Sequence, residues 1–175
     1  MRSTVNAFNR RQFLRGRFRK KAENIRPPWA LPENNFTNTC TRCGECIDKC
    51  PEKIIVKGED GFPTINFNLG ACTFCEICVM ACEPGALSMN NSTPPWNLRA
   101  NISNDCLSLK GVACRSCADS CEQEAISFQT KPGGISEPAT DSSCIGCGSC
   151  VAICPVKAIT VSEKKIHEET DYEHN

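Results

Sequence analysis

The chain has 175 residues, 20 Lys or Arg balanced by 20 Asp or Glu, 16 Cys, and only 6% aromatic residues. That length suits one domain or two small ones, and no segment approaches the ~20 consecutive apolar residues of a membrane span. The zero net charge hides an asymmetry, because residues 1–26 hold nine Lys or Arg against the single Glu23, leaving eleven basic and nineteen acidic groups for the rest.

The basic arm, residues 1–26, contains Asn9-Arg10-Arg11-Gln12-Phe13-Leu14-Arg15-Gly16, which resembles a twin-arginine export motif. Its continuation, Arg17-Phe18-Arg19-Lys20-Lys21, lacks the run of about 7–15 apolar residues that an export signal needs. The expected location is therefore the cytoplasm. Three readings of the arm stand side by side: a solvated basic tail, an amphipathic face docking on a partner protein, or a contact with anionic lipid or nucleic acid. No recognised nucleic-acid motif supports the third, and the predicted partner-binding residues are Arg10, Arg11, Phe13 and Leu14. Arginine pairs can hold carboxylates in a bidentate fork, while the apolar side chains supply buried area.

Pro27-Pro28-Trp29 breaks any helix and suits a boundary between arm and body. Cys40-x2-Cys43-x2-Cys46-x3-Cys50-Pro51 follows, with the spacing of the ligand run in bacterial iron–sulfur ferredoxins. Three cysteines at every third position can wrap a tight loop around one face of a cubane, and Gly44 eases the turn. Cys72, Cys75, Cys78 and Cys82 repeat the run, as do Cys144, Cys147, Cys150 and Cys154, while Cys106, Cys114, Cys117 and Cys121 stretch only the first gap. All 16 cysteines are thereby used. A disulfide framework suits a short secreted chain rather than this one, and structural zinc takes paired knuckles with a longer spacer. The expected cofactors are [4Fe–4S] clusters, four in number, or three should the stretched run fail. Metal then supplies much of the folding energy, and apoprotein should be largely unfolded.

The repeat is nested. Pro94-Pro95-Trp96 restates the first tripeptide, so each Pro-Pro-Trp precedes a pair of runs. After each fourth cysteine comes a short apolar tail that reads as a strand: Ile54–Val56, Ala86–Met89, Ala125–Phe128 and Ala158–Val161. Gly61–Phe67 and Gly133–Ser136 offer pairing strands. The fold class is α+β: tandem bacterial-ferredoxin-like βαββαβ modules built around clusters, with few regular elements. Boundaries fall at 27–92 for the first module and 93–162 for the second, with residues 90–105 as a linker rich in Asn, Ser and Pro. Residues 163–175 form an acidic tail, whose His167 and His174 are expected to be solvated. Leu107 to Ala113 should bulge beside one cluster and change its solvent access. Glu83 and Glu122 replace the proline found after the other fourth cysteines, which puts loop rigidity at those two corners in question.

No flavin or nicotinamide phosphate loop and no Ser/His/Asp set accompanies the cysteines, so an enzyme is not expected. The combination of the Asn9–Gly16 arm, Arg26-Pro27-Pro28-Trp29-Ala30 and the four runs, stretched third included, resembles the NapF family, ferredoxin-type accessory proteins of the periplasmic nitrate reductase system. That resemblance implies contact with the catalytic subunit of periplasmic nitrate reductase as partner, and a role in its cytoplasmic maturation before export. A polyferredoxin-type electron-transfer subunit of an oxidoreductase is the alternative. Resemblance to two-cluster ferredoxins further implies that each fourth cysteine crosses over. The ligand sets would then be Cys40, Cys43, Cys46 with Cys82, and Cys72, Cys75, Cys78 with Cys50. In the second half they would be Cys106, Cys114, Cys117 with Cys154, and Cys144, Cys147, Cys150 with Cys121.

Overall fold

A computed structural model describes residues 24–89 and 94–164. Arg10, Arg11, Phe13, Leu14 and the tail histidines lie outside the described residues. The first half runs α1 (Glu33–Thr39), α2 (Glu45–Lys49), β1 (Ile55–Lys57), β2 (Pro63–Ile65) and α3 (Ile77–Met80). The second runs β3 (Leu98–Ile102), a 3-10 turn (Ser108–Lys110), α4 (Ser116–Asp119), β4 (Ile126–Thr130), β5 (Ser136–Thr140), α5 (Ser149–Ile153) and β6 (Ile159–Glu163).

Strands pair antiparallel within each half. β4 pairs β5 from Ile126↔Thr140 to Thr130↔Ser136, and β1 pairs β2 from Ile55↔Ile65 to Lys57↔Pro63. The strand after the second Pro-Pro-Trp, β3, pairs the last one, β6, from Leu98↔Glu163 to Ile102↔Ile159. In the first half the corresponding pair shrinks to a single bridge, Ala30↔Leu87. Leu98–Ile102, inside the expected linker, thus form a strand. Leu98 and Ala100 alternate inward beneath the polar Arg99 and Asn101, a period-2 pattern diluted by its Asn- and Pro-rich flanks.

The helices are short, and each serves a loop of cysteines. Cys46, Cys78, Cys117 and Cys150 lie inside α2, α3, α4 and α5, and the fourth cysteine of each run follows directly or one residue later. Three residues beyond, every run makes the same corner. Lys53, Gly85, Glu124 and Lys157 all have positive φ and donate their N–H to the carbonyl of Cys50, Cys82, Cys121 and Cys154 at 3.3, 3.0, 2.9 and 3.2 Å. Glu83 and Glu122 therefore do not alter the corner, because the turn is set by that hydrogen bond and not by the proline.

α1 has no apolar period, and one buried side chain holds it. Phe36 is fully buried, and Arg26 stacks over Phe36 and Phe62 with its guanidinium carbon 5.1 and 5.3 Å from the ring centres. Arg26 also grips Glu33 in a two-pronged pair at 3.0 and 2.7 Å and reaches Asp60 at 2.7 Å. These bonds raise the pKa of Arg26 and lower that of Asp60. Ile25 accepts the Ile65 N–H at 2.8 Å, so residues 24–26 are laced onto β2. Arg26→Ala is expected to cost about 2–3 kcal/mol, from lost charge-assisted bonds and cation–π stacking. Arg26→Lys should recover part of it, as read from the guanidinium midpoint of anaerobic holoprotein.

Pro27 and Pro28 are fully buried, and the two Pro-Pro-Trp segments meet: the Trp29 N–H donates to the Pro95 carbonyl at 2.7 Å. Phe74 lies edge-on between Trp29 and Trp96, with ring centres 6.5 and 5.4 Å away, and Phe67 meets Trp96 at 5.9 Å. Such edge contacts are favoured by the ring quadrupoles. One buried core, cysteines included, is continuous across both halves.

Candidate metal centre

Four cavities each gather four cysteines. Cys40, Cys43, Cys46 and Cys82 line one, and Cys50, Cys72, Cys75 and Cys78 its neighbour in the first half. In the second half Cys121, Cys144, Cys147 and Cys150 line one, and Cys106, Cys114, Cys117 and Cys154 the other. Three thiols of a run face their own cavity and the fourth faces the next. The crossing comes from the short helices: α2 sends Cys46 to one cavity and Cys50 to the other, while its packing partner α3 returns Cys78 and Cys82.

Tight backbone positions put the loops there. In three of the runs the residue before the second cysteine has positive φ, at Arg42, Phe74 and Gly146, and so does the residue after it, at Gly44, Glu76 and Gly148. The stretched run differs, since Arg115, the residue after its second cysteine, has a negative φ of −141°. Its insertion lies beside the cavity at Leu107, is held to β5 at Ser108 and leaves Lys110 to Ala113 exposed. Ser108 is buried, its hydroxyl donates to the Ser136 carbonyl on β5, and Lys110 pairs with Asp105 at 3.0 Å. The Ser108–Lys110 turn packs against β5, and Cys106 is buried at its cavity.

The donor set fits a cubane cluster and not a single ion. Among the described residues no three Cys, His, Asp or Glu side chains converge on one point as a lone metal requires. A [4Fe–4S] cluster instead takes one thiolate per iron, and each cavity gathers four thiols. Backbone N–H groups already point at the sulfurs: Phe74 at Cys72 Sγ, Leu87 at Cys82 Sγ and Ala158 at Cys154 Sγ, at 3.4, 3.3 and 3.3 Å. Such bonds favour negative charge on sulfur and tune a cluster's potential. Without metal, burial pushes the Cys46, Cys72 and Cys150 thiols up to about 12 and Cys78 up to about 11, and it raises Cys117 and Cys147 too. Cluster binding must therefore release these protons. Cys43 and Cys75 are exposed, whereas every cysteine of the second half is buried or half-buried.

The sequence matches the family model for a 4Fe-4S dicluster domain at residues 39–94, 112–158 and 143–175. It is 43% identical over 160 residues to the ferredoxin-type protein NapF of Escherichia coli K12, covering 91% of this chain and 97% of that one. To the Haemophilus influenzae NapF it is 41% identical over 176 residues, covering 94% and 99%. The methylamine utilization ferredoxin-type protein MauM of Methylophilus methylotrophus is 32% identical over 170 residues, with 87% and 75% covered. No helix among the described residues is long and apolar enough to cross a membrane.

Proposed function

Because the chain belongs to the NapF family of ferredoxin-type iron–sulfur proteins, we propose that it is a non-catalytic accessory protein that assists maturation of the catalytic subunit of periplasmic nitrate reductase. It acts in the cytoplasm before export, by direct contact and through supply of electrons or of a cluster. The observation that carries this reading is the gathering of all sixteen thiols, four to each of four cavities, which leaves no cysteine over as a nucleophile. Each cavity's four cysteines are its ligands, and residues 27–92 and 93–162 are the two modules.

Bound [4Fe–4S] clusters supply one-electron transfer. The chain's own residues hold the four thiolates apart, aim N–H groups at the sulfurs and keep water from the buried ones. The arm supplies the contact: Arg10 and Arg11 fork onto carboxylates of the partner, and Phe13 and Leu14 bury against it. Similarity to MauM, whose name ties it to methylamine utilization, favours a second reading for the body alone, that of a polyferredoxin-type electron-transfer subunit.

Capture of the catalytic subunit from anaerobic cytoplasmic extract separates the two. The full chain should retain it, and deletion of residues 1–26 should abolish retention. Changing Arg10 and Arg11 together to Lys should weaken binding about tenfold with iron content unchanged, since lysine keeps the charge and loses the planar fork. Equal retention by all three proteins would leave the arm a solvated tail and favour the electron-transfer subunit.

A further inference from the structure

The four cysteine sites do not sit as two separate pairs. Within each half the two sites share helices, as α2 and α3 do for the first and α4 and α5 for the second. Between halves, the N–H of Cys72 donates to the carbonyl of Cys147 at 2.8 Å. That bond joins the loop of the Cys50, Cys72, Cys75, Cys78 site directly to the loop of the Cys121, Cys144, Cys147, Cys150 site. These are the two inner sites. The other two, ending at Cys82 and at Cys154, are outer.

Trp96 clamps the same junction. Its indole N–H donates to the Ile145 carbonyl at 2.8 Å, inside the second half's inner loop. Its ring meets Phe74, inside the first half's inner loop, with centres 5.4 Å apart. The approach is close enough to demand glycine: a Cβ on Gly148 would lie 2.0 Å from the ring of Phe67. So near a contact between cluster-binding loops is not needed merely to tether two modules, which the Trp29 to Pro95 hydrogen bond already does.

We propose that this junction makes the four sites one unbranched conduit for single electrons, ordered outer, inner, inner, outer. The proposal rests on the ligand sets given above. Clusters held by these four cysteine sets would supply single-electron exchange between neighbouring sites, with no bond made or broken and no proton moved. The electron comes from a one-electron reductant, dithionite in the test below, and enters most readily in the first half, where Cys43 of the outer site and Cys75 of the inner site are exposed. Trp96 is a positioning residue in this scheme, holding the inner loops together.

Cys40→Ser with Cys106→Ser in the full chain should empty both outer sites and keep half the iron. Reduced with dithionite, that protein should show an electron paramagnetic resonance spectrum split and fast-relaxing through coupling of two neighbouring spins. Two uncoupled signals at half the iron would overturn the conduit and leave the ligand sets standing, whereas an iron count other than half would count against the ligand sets. A second arm alters no cysteine. Trp96→Ala alone should keep full iron but simplify the fully reduced spectrum to that of two separate pairs, and Trp96→Phe, which retains a ring against Phe74, should restore the coupling. A spectrum that Trp96→Ala leaves unchanged at full iron also overturns the conduit.

Discussion

Protein purified without oxygen is expected to carry about sixteen irons, four for each four-thiol cavity, and to lose most of its folded structure when a chelator removes them. The core explains the size of that effect. Its large fully buried side chains are few, Phe36 and Ile54 with two prolines, and Cys46, Cys50, Cys78, Cys106, Cys117 and Cys150 make up much of what else is buried. Four cysteine-walled cavities lie among these side chains, and a cluster in each would supply packing partners for its walls. Cluster removal should therefore abolish the visible absorption and the far-ultraviolet signature of folded protein together. Cys106→Ser is the sharpest variant, since Cys106 stands beyond an insertion yet lines its cavity with Cys114, Cys117 and Cys154. It should remove about four irons and spare the rest. Zinc in place of iron, or about twelve irons in both this variant and the unsubstituted chain, would show that the fourth cavity holds no cluster.

How much of this was legible in the chain depended on whether a local rule applied. Cysteine spacing is local and marks the four runs, but the crossed groups of four that line the cavities were implied only by the resemblance to two-cluster ferredoxins. The apolar tails after each fourth cysteine were legible as strands in β1, β4 and β6, though Ala86–Met89 keeps only the bridge at Leu87. β3 was hidden because its inward pair, Leu98 and Ala100, is embedded among residues that signal a loop. α1 was hidden for a different reason: Glu33–Thr39 has little helical propensity, and what fixes it is Phe36 under the Arg26 side chain, a contact with Phe62 and Asp60 that no local pattern announces. The junction between halves was the least legible. Pro-Pro-Trp was visible as a repeat, but that its two copies touch, and that Gly148 must be glycine to clear Phe67, follows only from tertiary packing.

Crossed ligation gives the other large effect, and pairs of variants measure it by iron alone. Cys50 belongs by sequence to the run of Cys40, Cys43 and Cys46, yet α2 carries it to the cavity of Cys72, Cys75 and Cys78. Groups that act as one unit fail together, so a second loss within the unit adds nothing, while losses in independent units add. Cys50→Ser combined with Cys72→Ser should therefore cost about four irons, no more than either change alone. Cys50→Ser combined with Cys40→Ser should cost about eight, although those two residues share one run. Spectra should agree: the protein with Cys50→Ser should match the one with Cys72→Ser in the clusters it retains, and differ from the one with Cys40→Ser. The mirror experiment uses Cys121, which lines the cavity of Cys144, Cys147 and Cys150. There Cys121→Ser with Cys144→Ser should behave as one loss, and Cys121→Ser with Cys114→Ser as two. If the additive and non-additive pairs come out reversed, each run closes its own site, and the short helices between third and fourth cysteines separate the sites in place of linking them.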